Sequence, residues 1–254
     1  MRILLTNDDG IDAPGLTILE EIAKALSDDI WIVAPASDQS GVSHSLTLHD
    51  PLRVVTYDDR RMAVRGTPTD CVIMAYRTLM DQPPDLILSG VNFGQNMAEH
   101  VTYSGTIAAA MEGTLLGVRS IALSQTFSFR DGDKINWEPA RVHGAPLIKK
   151  LLDLEFAPGT LLNVNFPDCP PDQVNGYKAT VHGHRNQSSM GIDERSDGRG
   201  RAYYWLAFKG KSTELIPETD LAAVANKSVS VTPLSLDLTD HETHLRLKSD
   251  IGLD

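Results

Sequence analysis

The strongest constraint on the fold of this chain lies near its start, where two apolar runs flank a segment of helical spacing. The runs at 2–6 (RILLT) and 30–34 (IWIVA) predict strands buried on both faces. Between them, residues 14–27 place apolar side chains at helical intervals, and Pro14 sits where a first helical turn tolerates proline. Two buried strands joined through a helix run parallel, so we expect a parallel sheet with right-handed crossovers.

The alternation of strands and helices continues to about residue 125. After a polar loop at 36–46 and a hairpin-like excursion at 47–65, the pattern predicts a helix over about 69–80 and a strand at 85–89. A helix rich in small residues (TIAAAMEGTLLG) and a strand (RSIALS) follow. The predicted fold class is therefore α/β, with a doubly wound and mainly parallel sheet.

The pattern loosens after about residue 125. It predicts a helix near 138–153, strands at 161–166 and 228–234, and a helix over TDHETHLRLKS. We interpret residues 1–254 as a single domain in which 1–125 form the core that carries the site, and about 174–254 form a C-terminal hairpin and helix arm.

An aromatic cluster in that arm indicates a partner. Residues 174–208 are polar and glycine-rich, yet they contain Tyr203, Tyr204, Trp205, Leu206 and Phe208. Aromatic side chains in a segment with little core of its own often bury against another subunit. We therefore predict a homo-oligomer held partly by the C-terminal third; the alternative is that the cluster packs on its own sheet.

Charge and composition exclude several classes of protein. The formal net charge is −11, from 34 acidic against 23 basic residues, and such a surface repels a nucleic-acid polymer. It does not exclude a small phosphate ester if the site supplies a cation. The two cysteines, Cys71 and Cys169, form no CxxC pair, which argues against a thiolate zinc site and fits a reducing compartment. No apolar run approaches the roughly 18 residues of a membrane span, so we expect a cytoplasmic protein without a membrane segment.

An Asn-Asp-Asp-Gly turn directly follows the first predicted strand. In open α/β sheets, ligands bind beyond the carboxyl ends of the strands. Adjacent carboxylates raise each other's pKa, so Asp8 and Asp9 are costly there unless a cation compensates them. Hard oxygen ligands of this kind suit Mg²⁺, Mn²⁺ or Ca²⁺. The turn predicts a divalent-metal site; the alternative is an Asp-Gly turn that only caps the next helix.

Further polar residues are predicted to reach the same edge of the sheet. Asn92 and Asn96 follow the strand at 85–89, and Ser40 follows the strand at 30–34. Amide oxygens are neutral hard ligands, and amide nitrogens can donate to phosphate. The simpler explanations are turn chemistry for the two asparagines and a solvated loop position for Ser40, which no Gly-x-Ser-x-Gly elbow surrounds.

Ser104-Gly105-Thr106 opens the small-residue helix. Free backbone N–H groups at a helix N-terminus bind anions, and hydroxyls add donors. The segment is not a P-loop, and a Ser or Thr helix cap is an equally simple reading. Two carboxylates, a hydroxyl, amides and a helix N-terminus at one edge nevertheless suit a metal ion together with a phosphate.

The sequence resembles the SurE family, the stationary-phase survival 5′/3′-nucleotidases. The motifs that carry the resemblance run in order along the chain: MRILLTNDDGIDAPG, APASDQSG, SHSLTLHDPLRV, GTPTDCV, PDLILSGVNFGQNM, YSGTIAAAMEG, YYWL and SVSVTPL. By motif position, the resemblance implies metal ligation by Asp8, Asp9, Ser40 and Asn92. It implies phosphate binding by Asn96, Ser104, Gly105 and Thr106.

The resemblance also implies a Rossmann-like core, one Mg²⁺ or Mn²⁺ per subunit, cleavage of nucleoside monophosphates, and dimers or tetramers with C-terminal exchange. We therefore expect metal-assisted hydrolysis of nucleoside 5′-monophosphates, extended by the resemblance to 3′-monophosphates. Asp8 would orient or deprotonate the attacking water or act as a covalent nucleophile, and Asp9 would mainly hold the metal. One rival is a nucleotide-binding sensor without turnover. A dinucleotide-dependent oxidoreductase is disfavoured because no Gly-x-Gly-x-x-Gly follows the first strand.

Overall fold

The computed structural model describes residues 1–127, 134–185, 190–208 and 215–251. Its strands in these ranges are β1 (Arg2–Thr6), β2 (Asp29–Pro35), β3 (Val54–Asp58), β4 (Arg61–Val64), β5 (Leu86–Phe93), β6 (Arg119–Gln125), β7 (Thr160–Phe166), β8 (Tyr177–Ala179), β9 (Met190–Ser196), β10 (Ala202–Phe208) and β11 (Val229–Ser235). Among these described residues, the main sheet has nine strands in the order β3-β4-β2-β1-β5-β6-β7-β11-β8, and β9 and β10 form a separate two-stranded sheet.

Most of the main sheet is parallel. Six consecutive strands, β4, β2, β1, β5, β6 and β7, run parallel to one another. The exceptions are β3, which is antiparallel to β4, and β11, which is antiparallel to β7 and parallel to β8. The predicted α/β class with a mainly parallel sheet is confirmed.

Helices cover both faces of the sheet. They are α1 (Pro14–Lys24), α2 (Pro68–Met74), α3 (Gly105–Leu115), α4 (Glu138–Leu152), α5 (Asp220–Ala225) and α6 (His241–Ile251). One apolar cluster joins the sheet to α1 and α4, and another joins it to α2 and α3. This two-sided burial explains why β1 is a continuous apolar run rather than an alternating one. Within the described ranges, every helix is too short or too polar to cross a bilayer.

Two elements differ from the pattern read in the sequence. The sequence predicts one helix over about 69–80, but helix α2 ends at Met74 and the chain continues as a π-helical turn. At its start, α2 is capped by Thr67, whose side chain forms a reciprocal capping box with Asp70. Strand β5 extends four residues beyond the predicted end because Asn92 and Phe93 still pair with β6. This extension places Asn92 and Phe93 on the rim of the sheet.

The C-terminal third divides into two parts. Strands β8 and β11 belong to the main sheet, and Val229 and Val231 are buried in its core. The β9–β10 hairpin and α6 lie outside that sheet, and α6 has no buried residue. The predicted extension from about residue 174 therefore includes strands of the core, since β11 finds its partner in β7. The oligomerisation role of the rest stays a prediction.

Candidate active site

The turn after β1 is shaped by Asn7 and Gly10. The amide nitrogen of Asn7 donates to the Gly10 carbonyl at 2.8 Å, and the Gly10 N–H donates back to Asn7 Oδ1 at 3.2 Å. Gly10 has a φ of +106°, and a Cβ there would come within 3.2 Å of the Ser37 backbone. Glycine is needed on both counts. The turn presents the two intervening carboxylates, Asp8 and Asp9, at the carboxyl edge of the sheet.

Asp8 packs against the N-terminus of α3. It is only 4% exposed, and its Oδ1 accepts a short hydrogen bond from the Thr106 hydroxyl. A Cβ on Gly105 would lie 2.8 Å from the Cβ of Asp8, so glycine permits this close approach. The Gln39 N–H donates to the Asp8 carbonyl at 2.8 Å, which ties the loop after β2 to the same turn. Two other chain segments thus hold Asp8: α3 contacts its side chain, and the loop after β2 contacts its backbone.

Asp9 is held from the other side. Its Oδ2 accepts the backbone N–H of Phe93 at 3.1 Å, at the end of β5. Burial, opposed in part by the Thr106 hydroxyl, raises the pKa of Asp8 to about 6. Burial and the neighbouring charge of Asp8 raise the pKa of Asp9 to about 7. A pair of carboxylates held in this way is stabilised in its ionised form by a bound cation.

The remaining predicted ligands offer neutral oxygens. The amide nitrogen of Asn92 donates to the Gly94 carbonyl at 2.8 Å, which leaves the amide oxygen to bind another group. The hydroxyl of Ser40 donates to Asp38 Oδ1 at 2.6 Å and retains its lone pairs. Among the described residues, no three His, Cys, Asp or Glu side chains cluster as a metal site. Asp8, Asp9, Asn92 and Ser40 instead fit a hard cation, because all their donors are oxygens.

Asn96 is the most tightly held of the predicted phosphate ligands. Its backbone N–H donates to Asn165 Oδ1 at 2.9 Å, and its carbonyl accepts from Asn163 Nδ2 at 2.7 Å and Asn165 Nδ2 at 3.2 Å. Its side-chain nitrogen donates to Ser124 Oγ at 2.9 Å. Side chains from β6 and β7 therefore fix both the backbone and the amide of Asn96.

Ser104, Gly105 and Thr106 open α3 but differ in position. The Ser104 hydroxyl caps the helix by accepting the Ile107 N–H at 3.1 Å. Thr106 is fully buried and directs its hydroxyl proton to Asp8. A cavity of about 280 Å³ brings together Asp8, Ser40, Asn92, Asn96 and Ser104. An adjoining cavity of about 370 Å³ is lined by Asp9 and Ser40, whereas Gly105 and Thr106 lie behind Asp8.

The chain matches one protein family over most of its length. The family model described as survival protein SurE matches residues 3–189. A protein of Methylobacterium radiotolerans named 5′-nucleotidase SurE is 59% identical over 247 residues, covering 97% of each chain. A Brucella anthropi protein of the same name is 54% identical and covers 100% of this chain and 98% of its own.

The chain belongs to the SurE family. The crystal structure of the SurE protein from Aquifex aeolicus has the same fold, with a TM-score of 0.81 and 39% identity over 98% of both chains. The resemblance read from the sequence motifs is thereby confirmed. The family model ends at residue 189, so the β9–β10 hairpin lies beyond it, although the relatives cover that region.

This SurE-family site also contains residues that the sequence reading missed. Asn163 and Asn165 are fully buried on β7 and hold Asn96. The signal was present, because two asparagines at i and i+2 on an otherwise apolar strand share one face and require partners. His100 also lines the cavity that contains Asp8. Burial and the charge of Arg185 lower its pKa to about 4, so it is neutral at physiological pH.

The aromatic side of the site was missed as well. Phe93 and Phe127 line the cavity that contains Asp8, and Phe93 also lines the adjoining cavity together with Trp137. The three are distant in sequence and of types that usually enter the core, so a local pattern gives no signal for them. Their meeting depends on β5 extending to Phe93.

Proposed function

We propose that this chain is a divalent-metal-dependent phosphomonoesterase that hydrolyses nucleoside 5′-monophosphates to nucleoside and inorganic phosphate. The carrying observation is the pair formed by buried Asp8 and half-buried Asp9, which line two adjoining cavities. The other polar side chains of the cavity that contains Asp8 are neutral donors and acceptors. Relatives named 5′-nucleotidase SurE, at 54–59% identity, support the same activity. The resemblance extends the proposal to 3′-monophosphates.

Asp8, Asp9, Asn92 and Ser40 would hold the divalent ion. When bound, that ion supplies Lewis acidity toward the phosphate and lowers the pKa of a coordinated water. Mg²⁺ or Mn²⁺ suits this oxygen set, and Ca²⁺ fits the same ligands.

The chain's own residues would perform the remaining steps. Asp8 keeps its Oδ1 on the Thr106 hydroxyl, so Oδ2 is the atom that would accept the proton of the attacking water. Asn96, held rigidly by Asn163 and Asn165, would contact the phosphate oxygens. Ser104 and the N-terminus of α3 would stabilise the charge that develops on them. Direct attack by Asp8 is the alternative route, and trapping an aspartyl-phosphate would identify it.

Phosphate release with and without chelator tests the proposal. We expect release from a nucleoside 5′-monophosphate to disappear in EDTA and to return with excess Mg²⁺ or Mn²⁺. Asn92→Ala should require roughly tenfold more metal, because one neutral ligand is lost while the two carboxylates remain. Asn92→Asp serves as the matched control, since it retains an oxygen donor of the same length.

The outcomes discriminate between the candidate functions. Release that persists unchanged after exhaustive EDTA treatment would refute metal dependence. Tight nucleotide binding without any release under every metal condition would instead support the sensor. An Asn92→Ala titration that overlays wild type would remove Asn92 from the ligand set.

We also propose that the protein works as a homo-oligomer, a dimer or tetramer, through its C-terminal hairpin. The supporting observation is the exposure of Tyr204, Trp205 and Leu206 on β10, at 62%, 58% and 72%. Water-exposed aromatic and aliphatic surface of this extent on one strand is unfavourable unless another surface covers it. The family resemblance implies that subunits exchange their C-terminal segments, so the covering surface would belong to a second copy of the chain.

A further inference from the structure

Phe93 stands out among the residues around the cavity. It follows Asn92 directly, and its backbone N–H is bound to the Asp9 carboxylate at 3.1 Å. Its side chain is 40% exposed, although it lies beside some of the most buried polar groups in the protein. A large aromatic ring is therefore presented to solvent one residue away from the proposed metal ligands.

Other aromatic rings support this ring without covering it. The centroid of Phe127 lies 4.8 Å from that of Phe93 with the planes tilted by 50°, and Trp137 lies 6.3 Å away at 66°. Tilted and edge-on contacts of this kind are favourable and restrict the ring's orientation. Phe93 is thus held in place by its neighbours, while a large part of its surface remains accessible.

The position of the ring separates it from an ordinary exposed phenylalanine. Scattered apolar side chains on a protein surface need no explanation. Phe93, however, lines both the cavity that contains Asp8, Asn96 and Ser104 and the one that contains Asp9. A ligand with a phosphate at the oxygen-rich end of this site would extend its remaining part along an aromatic wall.

We propose that Phe93 is the platform on which the base of the substrate stacks, with Phe127 and Trp137 as its support. This inference rests on the proposed function and specifies the substrate class: a sugar that carries both a phosphate ester and an aromatic base. Stacking uses the π-face that every base has, so the platform accepts purines and pyrimidines alike. It discriminates nucleotides from sugar phosphates that lack a base.

The experiment compares two substrates that differ only in the base. Nucleoside 5′-monophosphates and ribose 5-phosphate carry the same phosphate and sugar. In Phe93→Ala, kcat/KM for purine and pyrimidine nucleotides should fall roughly tenfold, mainly through KM, because base stacking is lost. The value for ribose 5-phosphate should stay unchanged. Phe93→Trp should keep kcat/KM for nucleotides near the wild-type value. Phe93→Leu, which is apolar but has no ring, should show a loss like that of Phe93→Ala.

A control and a second readout keep the result interpretable. Tyr57→Ala removes an aromatic side chain that is 55% exposed on β3, and it should leave kcat/KM for both substrates unchanged. Equilibrium dialysis of adenosine in EDTA measures base binding without phosphate, metal or turnover. Adenosine should bind several-fold more weakly to Phe93→Ala than to wild type.

The possible failures can be told apart. Equal losses for nucleotide and ribose 5-phosphate, or no loss for either, would overturn the platform, as would adenosine binding that does not change in Phe93→Ala. If wild type released phosphate from neither substrate, the proposed function would fall, and the dialysis alone would decide the role of Phe93.

Discussion

The Asn7–Gly10 turn and the β9–β10 hairpin differ in which side chains they bury. The turn holds the carboxylate of Asp8 at 4% exposure, whereas the hairpin leaves Trp205 and Leu206 at 58% and 72%. In the turn, hydrogen bonds from β5, α3 and the loop after β2 fix the buried groups. Within the described residues, the strands of the hairpin pair with each other and with no strand of the main sheet.

Both arrangements are unfavourable for an isolated chain, but for opposite reasons. Burial removes the hydration of a carboxylate, which costs free energy. An exposed aromatic ring stays in contact with water, so the free energy of burying its apolar surface is not gained. A pair of carboxylates, one buried and one half-buried, indicates a ligand of opposite charge, while an exposed apolar strand indicates an apolar partner. The following predictions test whether each region is completed by the kind of partner that its surface indicates.

The largest effect is expected from Asp8→Asn. The substitution keeps the shape of the side chain but removes its charge and its capacity to accept a proton. We expect kcat to fall at least roughly a hundredfold, about 2.7 kcal/mol of barrier. Folding should survive, since Asn7 and Gly10 still shape the turn. Turnover within about tenfold of wild type, measured by phosphate release, would contradict the assigned role.

Thr106→Val should have the next largest effect. The family resemblance implies that Thr106 binds phosphate, whereas in the structure its hydroxyl donates to Asp8 Oδ1. Losing a hydrogen bond to a charged group costs about 1.5–3 kcal/mol, so activity should fall roughly tenfold or more. Thr106→Ser keeps the hydroxyl and is the matched control. A lower kcat with unchanged KM would indicate orientation of Asp8, a raised KM would indicate phosphate binding, and unchanged constants would exclude both.

A smaller effect is expected when the pH is changed, and it concerns the affinity for the metal. Asp8 and Asp9 have pKa values raised to about 6 and about 7, and both must lose their protons to bind a metal. The metal concentration needed for half-maximal binding should therefore rise as pH falls from 8 to 5, by roughly tenfold per pH unit for each proton displaced. Metal titrations at several pH values measure this, and a pH-independent midpoint would contradict it.

The same shifts predict how the metal-free protein responds to pH. A carboxyl whose folded pKa is raised stabilises the fold below its unfolded pKa, and this contribution is lost as pH rises through the folded value. In EDTA, wild type should thus lose stability relative to Asp9→Asn between about pH 4 and pH 7. Parallel melting curves for the two proteins across that range would refute the burial of this charge.

The smallest effect on the chemistry is expected at the hairpin. Replacing Trp205 and Leu206 together by Glu should shift the protein to a species of lower mass, because like charges replace the apolar surface. Light scattering after size exclusion at low micromolar concentration measures this, and a single monomeric wild-type species of 27.7 kDa that is fully active would rule out the oligomer. Replacing Leu245 on the exposed helix α6 by Glu tests the contribution of that helix separately from the contribution of the hairpin.

Much of the fold follows from the sequence because its cause is local. Apolar runs at 2–6 and 30–34, with helical spacing between them, are enough to indicate a βαβ unit and hence a parallel sheet. Since the carboxyl ends of parallel strands share one edge, the sequence also indicates that Asp8, Ser40 and Asn92 converge, and these three line one cavity. Their roles as ligands stay predictions.

Other features were decided only by the tertiary structure. Strand β5 extends to Phe93 because β6 lies beside it, and β11 enters the core because β7 has an open edge. Asn163 and Asn165 contact Asn96, nearly seventy positions away, across that same sheet. Hydrophobic periodicity records which face of an element is buried, but it does not record which distant segment covers that face. The hydrogen-bond partners of a buried polar group, and the rings that surround Phe93, are therefore set by the packing of the whole chain.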